Sequence, residues 1–144
     1  MSLFSSLDVS ASGMAAQRTR AELLVENLAN AETTRTPEGG PYRRKDVVFS
    51  ADSSGSFSSE LSSALGGNAA GVSVSDTIVD TREPDRRYLP GHPDADKDGY
   101  VAFPRINPAE DMVDLLGASR SYEANVAAMS AVKDMIQKSL DLFR

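Results

Sequence analysis

The segment that begins at Asn107 constrains the fold more than any other part of the chain. The Asn107 side chain can accept a hydrogen bond from an early backbone N–H, Pro108 suits the first helical position, and Glu110 completes a capping-box pattern. Apolar residues then recur every three or four positions to the end of the chain: Met112, Leu115, Tyr122, Val126, Met129, Ile136, Leu140 and Phe143. This spacing predicts one long helix with an apolar edge that must pack against another element. The steps fit a repeat of seven if Ser119 and Lys133 fill the two gaps.

A second helical pattern covers residues 1 to about 32. Ser5 and Asp8 form a plausible helix start, because a serine followed three positions later by an acid can satisfy the first backbone N–H groups. The apolar positions that follow are Leu7, Ala11, Met14, Ala21, Val25 and Leu28. Two interpretations stay open, an ordinary amphipathic helix or a coiled-coil strand paired with the C-terminal helix, since spacing alone does not separate them.

Between these helical patterns the chain is typical of short strands and turns. Prolines and glycines interrupt residues 36–41, and β-prone runs follow at 46–49, 72–79 and 100–103. Residues 51–71 are rich in Ser and Gly and have few large apolar side chains, which predicts a flexible loop. The mixed charges and prolines of residues 80–93 predict a solvated, turn-rich connection.

The patterns together predict an α+β fold in which two long terminal helices pair as a coiled-coil-like hairpin around a small inserted β-rich module. We assign residues 1–33 and 107–144 to the helical part and residues 34–106 to the β-rich part, with the flexible loop at 51–71.

Composition excludes several classes of function. The 144 residues carry 15 basic and 21 acidic side chains, for a net charge of −6, which argues against a nucleic-acid surface built on phosphate contacts. The chain has no cysteine and one histidine, His92, so disulfides, histidine triads and multi-histidine metal sites are not expected. No apolar run is long enough to cross a bilayer, and a secretory signal pattern is not expected at the N-terminus.

One stretch resembles a metal-binding loop. Asp94, Asp96 and Asp98 alternate and Gly99 follows, as in the first half of an EF-hand. The twelfth position holds Arg105 in place of the bidentate glutamate. We therefore expect no metal and no cofactor, and predict a tight Asp/Gly turn in which Gly99 has a positive φ. A small Ca²⁺-binding module on these three aspartates is the alternative, which calorimetric titration with Ca²⁺ would test.

No set of residues has the form of an active site. The sequence lacks a phosphate-binding glycine loop, a Gly-x-Ser-x-Gly elbow and a Glu-x-x-His zinc motif. A small enzyme is therefore disfavoured against a structural protein that acts by assembly.

Five segments carry a resemblance to a known family. Residues 12–18 with 27–34, and residues 119–125, resemble the N- and C-terminal signatures of flagellar rod and hook axial proteins. Residues 41–49 and 92–101 are similar to the proximal-rod members of that family in particular. The resemblance covers most of the chain outside the Ser-rich loop. Another axial rod subunit, such as FlgB, is the alternative within this class.

The resemblance implies a structural subunit of the bacterial flagellar basal body. Its expected partners are other copies of itself, neighbouring rod and hook-basal-body proteins, and the flagellar type III export apparatus, with no nucleic acid and no direct insertion into a membrane. It implies export without a cleaved signal and a rod that crosses the periplasm and transmits torque. The residues we predict for the assembly interface are Leu7, Ala11, Met14, Ala21, Val25, Asn27, Leu28, Asn30, Met112, Leu115, Tyr122, Asn125, Val126, Met129, Ile136, Leu140 and Phe143.

Overall fold

A computed structural model describes residues 3–51 and 71–142 and confirms the predicted α+β fold. The elements, in chain order, are α1 (Leu3–Ala29), β1 (Lys45–Ala51), β2 (Val72–Val79), β3 (Asp85–Tyr88), β4 (Tyr100–Phe103) and α2 (Pro108–Asp141). Most of the predicted loop at 51–71 lies outside the described residues, and so does Phe143. No helix in the described part of the chain is long and apolar enough to cross a membrane.

The two helices form an antiparallel pair. Arg20 of α1 forms an ion pair with Asp114 of α2 at 3.6 Å, and Gly13 lies beside Asn125 farther along the pair. The 27 residues of α1 span about 40 Å and the 34 residues of α2 about 51 Å. Asn107 caps α2 as predicted, because its side chain accepts a hydrogen bond from the Ala109 N–H at 3.2 Å.

The β-rich part consists of two antiparallel hairpins. In the first, β1 pairs with β2 from Lys45 opposite Val79 to Ala51 opposite Val72, with a bulge between Val48 and Phe49. This sheet packs on α1, and the Val72 N–H donates to the Ser12 hydroxyl at 3.1 Å. The helix pair therefore supports the β1–β2 sheet along much of α1.

Strand β3 corrects the sequence prediction of a solvated, turn-rich connection across residues 80–93. Its four residues, Asp85–Tyr88, pair with β4 over their full length although all four are exposed. A charged strand has no apolar alternation, so its sequence carries no strand signal. Its partner supplies the burial, because Val101 and Phe103 of β4 are buried and the Arg87 guanidinium lies 4.8 Å from the centre of the Phe103 ring.

The turn that joins β3 to β4 has the predicted conformation at Gly99. Its φ is +81°, and the Asp96 carboxylate accepts hydrogen bonds from the N–H groups of Asp98 and Tyr100, both at 2.9 Å. A Cβ added to Gly99 would lie 2.9 Å from the Tyr88 ring. Position 99 therefore requires glycine for two reasons, its positive φ and the closeness of the Tyr88 ring.

Replacing Gly99 with alanine is expected to lower the free energy of unfolding by about 2 kcal/mol, since a non-glycine residue is strained at positive φ and the new methyl meets Tyr88. Gly39→Ala is the matched control, because Gly39 has a φ of +91° and nothing within 4 Å of the added carbon. Urea denaturation of both variants measures the difference. Equal losses would show that the Tyr88 contact adds nothing.

Candidate assembly interface

Helix α2 buries a narrow stripe against the rest of the molecule and exposes the remainder. Its buried residues are Asp111, Ala118 and Val132. Five more positions are half-buried: Asp114, Leu115, Asn125, Met129 and Ile136. Most of these eight positions are separated by three, four or seven residues, as expected for one face of a helix.

This stripe coincides with the predicted apolar edge at only three positions. Leu115, Met129 and Ile136 belong to both, whereas Ala118 and Val132 are buried and the neighbouring Ser119 and Lys133 are exposed. The buried stripe therefore contains neither Ser119 nor Lys133, the two polar positions of the predicted repeat. Apolar periodicity missed the true stripe because alanine, asparagine and aspartate occupy four of its eight positions.

The predicted interface residues on α2 thus divide into two groups. Leu115, Asn125, Met129 and Ile136 are half-buried, and Met112, Tyr122, Val126 and Leu140 are exposed by 55, 41, 42 and 64 %. Other large apolar side chains are also exposed, on α2 (Val113, Leu116 and Met135) and just after its end (Leu142). Exposed apolar side chains in this number on one helix are typical of a surface that another chain buries, because soluble monomers rarely expose large contiguous apolar patches.

The predicted interface residues of α1 divide in the same way. Leu7, Met14, Ala21 and Leu28 are half-buried, whereas Ala11 and Val25 are exposed. Gly13, which the interface prediction omitted, brings the two helices close, because a Cβ there would lie 3.1 Å from the Asn125 side-chain nitrogen. Small side chains in a helix can thus signal a close crossing when apolar periodicity does not.

Asn27 joins α1 to the β-rich part and is fully buried. Its side-chain nitrogen donates to the Lys45 carbonyl at 2.8 Å, and its oxygen accepts from the Lys45 N–H at 2.9 Å and the Tyr42 hydroxyl at 3.0 Å. The amide therefore pairs with the first residue of β1 much as a neighbouring strand would. Burial, with the nearby Glu26 carboxylate, raises the pKa of Tyr42 to about 12, so its hydroxyl keeps the proton that it donates.

Asn30, half-buried just beyond α1, organises the turn that follows the helix. Its side-chain nitrogen donates to the Glu26 carbonyl at 2.9 Å, and its oxygen accepts from the Thr33 hydroxyl at 3.1 Å. In addition, the Lys45 ammonium pairs with the Glu26 carboxylate at 2.6 Å. Both predicted asparagines thus fix how the chain leaves α1.

A buried ion pair anchors the first turn of α2. The Asp111 side chain is fully buried, and the Arg44 guanidinium lies 3.1 Å from one of its oxygens. Neither carboxylate oxygen has a hydrogen bond of good geometry in the described part of the chain. Burial raises the pKa of Asp111, and the nearby Asp46 and Asp114 add to the effect while Arg44 opposes it. The sequence did not predict this pair, because an aspartate in the first turn of a helix is usually exposed to solvent.

Two of the three aspartates of the metal-like stretch, Asp94 and Asp96, have protein partners. Asp94 accepts from the Thr34 hydroxyl at 2.8 Å and pairs with Arg35 at 3.0 Å, and Asp96 holds the turn described above. Within residues 3–51 and 71–142, no group of three His, Cys, Asp or Glu side chains is placed to hold a metal ion.

Comparisons with known proteins connect the C-terminal helix, and then the whole chain, to flagellar rod proteins. Residues 97–142 match the model of the flagellar basal body rod FlgEFG protein C-terminal family. The chain is 47 % identical to the flagellar basal-body rod protein FlgC of Bacillus subtilis, over 99 % of both chains. It is 38 % identical to the protein of that name from Borreliella burgdorferi, over 100 % of this chain and 99 % of the relative. It is also 38 % identical to that from Salmonella typhimurium, over 99 and 98 %.

These likenesses extend over nearly the whole length of each chain, so they include the β-rich part as well as both helices. The central segments are therefore shared with FlgC proteins. This favours FlgC over the alternative of another axial rod subunit such as FlgB. The chain belongs to the FlgC family of flagellar basal-body rod proteins.

Proposed function

We propose that this chain is a structural subunit of the proximal rod of the flagellar basal body, with no catalysis of its own. In this role it packs against other copies of itself and neighbouring rod and hook-basal-body proteins, and the resulting shaft transmits torque across the periplasm. The observation that carries the proposal is the apolar surface that α2 exposes in the single chain. Neighbouring subunits would bury that surface and stabilise the subunit through mass action.

The packing suggests which part of the chain forms the rod core and which part lies outside it. Residues 1–33 and 107–144 would form the rod core, because the exposed apolar side chains concentrate on the helices. Residues 34–106 would form an outer module held to the core by Asn27 and by the Arg44–Asp111 pair. Family membership further supports export through the flagellar type III apparatus without a cleaved signal.

Leu116→Glu tests the proposed role of α2. Leu116 is 59 % exposed, so the change is expected to alter the free energy of unfolding by no more than about 0.5 kcal/mol. A charge placed in an apolar subunit contact is expected to abolish incorporation into basal bodies and motility, because the contact would bury that charge without a partner. Quantitative immunoblotting of purified basal bodies and swimming assays measure these effects.

Ile78→Glu is the matched control, since Ile78 is 55 % exposed on β2 of the β-rich part and the change likewise replaces a branched aliphatic side chain with a charge. It should leave incorporation near the wild-type level. If the Leu116 variant assembled as well as this control, the exposed face of α2 would not be an assembly surface.

A further inference from the structure

The β-rich part carries a positively charged surface on a chain whose net charge is −6. A shallow cavity of about 40 Å³ is lined by four arginines and a single carboxylate, Asp80. We name Arg43, Arg82 and Arg105 the arginine surface, because all three are exposed. The fourth, Arg44, is occupied by the buried Asp111.

Two guanidinium groups of this surface, those of Arg43 and Arg82, are held by Asp80, and the surface is only partly neutralised. The Arg82 guanidinium donates to both carboxylate oxygens of Asp80 at 2.6 to 2.9 Å. These hydrogen bonds lower the pKa of that carboxyl to about 2, so Asp80 stays ionised. The Arg43 guanidinium donates to the Asp80 carbonyl at 3.1 Å. Neither Arg43 nor Arg105 has an ion pair within the residues that the structure describes.

Three prolines, Pro41, Pro84 and Pro104, line the same cavity. Proline fixes the backbone angle φ, so these residues stiffen the segments that carry the arginines. A partner then binds without having to order the surface first, which lowers the entropic cost of association. Arginine is well suited to such a contact because its planar fork pairs with carboxylates through two parallel hydrogen bonds.

The acidic turn, residues 94–99, lies at the other end of the same hairpin. Tyr88 pairs with Tyr100 next to this turn, and Asp85 pairs with Phe103 next to Arg105. Three residue steps of strand, about 10 Å, therefore separate the two ends. The Asp98 carboxylate is exposed and has no ion pair in the described part of the chain, and it lies on the far side of the hairpin from Arg105.

We propose that the arginine surface of one copy binds the acidic turn of the next copy, with Asp98 as the principal carboxylate. The proposal rests on the proposed function, because it requires copies to lie side by side in the rod. The two surfaces differ and lie at opposite ends of the β3–β4 hairpin, so the contact is head-to-tail. Contacts of this kind repeat around a ring or along a helix, whereas two-fold contacts stop at a dimer.

Cysteine cross-linking tests the geometry directly, since the natural chain contains no cysteine. Thr81 and Lys97 are exposed neighbours of Arg82 and Asp98, and T81C/K97C leaves the charges of the arginine surface and the aspartates in place. Treatment of isolated basal bodies with a short bis-maleimide is expected to yield multimers of this chain from the double variant and none from either single variant. Cross-links of this chain only to a different protein, or no cross-links, would overturn the proposal.

Charge reversal in the T81C/K97C background tests the chemistry. R105E is expected to lower the cross-linked fraction about fivefold, a factor typical of losing about 1 kcal/mol of ion-pair energy. R105E/D98R is expected to restore it, because each contact regains an opposite-charge pair. R86E is the matched control, since Arg86 is exposed on β3 but lines neither the cavity nor the turn. Failure of the paired reversal to rescue would contradict the proposal.

The amount of chain in each basal-body preparation separates the two proposals. Absence of the wild-type chain from basal bodies would contradict the proposed function itself. Normal incorporation without head-to-tail cross-links would contradict this inference alone.

Discussion

Replacing Asn27 with alanine is expected to lower the free energy of unfolding by about 3 kcal/mol, since it removes three hydrogen bonds and leaves buried backbone groups unpaired. The Lys45 N–H and carbonyl would each lose a partner that lies within 3 Å. The Tyr42 hydroxyl would lose its acceptor as well. Chemical denaturation followed by circular dichroism of the full chain measures the loss.

Tyr42→Phe is the control for this prediction. It removes one of the three hydrogen bonds and retains the ring, so we expect a loss of about 1 kcal/mol. An Asn27→Ala variant no less stable than Tyr42→Phe would show that water replaces the amide at Lys45. The expected difference tests whether this asparagine is the main link between α1 and β1.

The second large effect is expected at Asp111. Asp111→Ala should lower the free energy of unfolding by about 3 kcal/mol, because it leaves the Arg44 charge without its buried partner. The Arg44 side chain is only 16 % exposed, so water solvates it poorly. The double variant R44M/D111L should be about as stable as the wild type or more so, since two apolar side chains avoid the cost of burying charge.

The pH dependence of the wild type follows from the direction of the Asp111 pKa. Its folded value is raised above the ordinary 3.8 by burial, so the folded chain holds this proton more tightly than the unfolded chain. The contribution to stability is therefore present below pH 3.8 and is lost as the pH rises through the folded pKa. As the pH rises from 3.8 through the folded pKa, the free energy of unfolding of the wild type should fall relative to that of R44M/D111L.

Equilibrium denaturation of both proteins across this pH range measures the difference. A constant difference between them would contradict the raised pKa. A double variant as unstable as Asp111→Ala would show that the ion pair itself is needed for the fold.

Local sequence signals determined the elements whose stabilising groups lie close in the chain. Asn107 caps α2 through an N–H two residues away, and the turn at Gly99 needs a positive φ whatever surrounds it. The two helices were likewise predictable, because both run for many turns without a proline. The family resemblance rested on segments of this kind and was confirmed by relatives that match nearly the full length of the chain.

The tertiary structure alone decided which small and polar residues join the buried side of each helix. Asp111 enters the stripe because Arg44, distant in sequence, lies over it, and Asn125 enters because Gly13 leaves room for a close crossing. Strand β3 exists because β4 offers a paired edge and a Phe103 ring for Arg87. In each case the deciding partner comes from a remote part of the chain, so the burial of a polar side chain cannot be read from local periodicity. The C-terminal helix was therefore predictable from sequence. The division of its apolar residues into those buried in the helix pair and those left exposed was not.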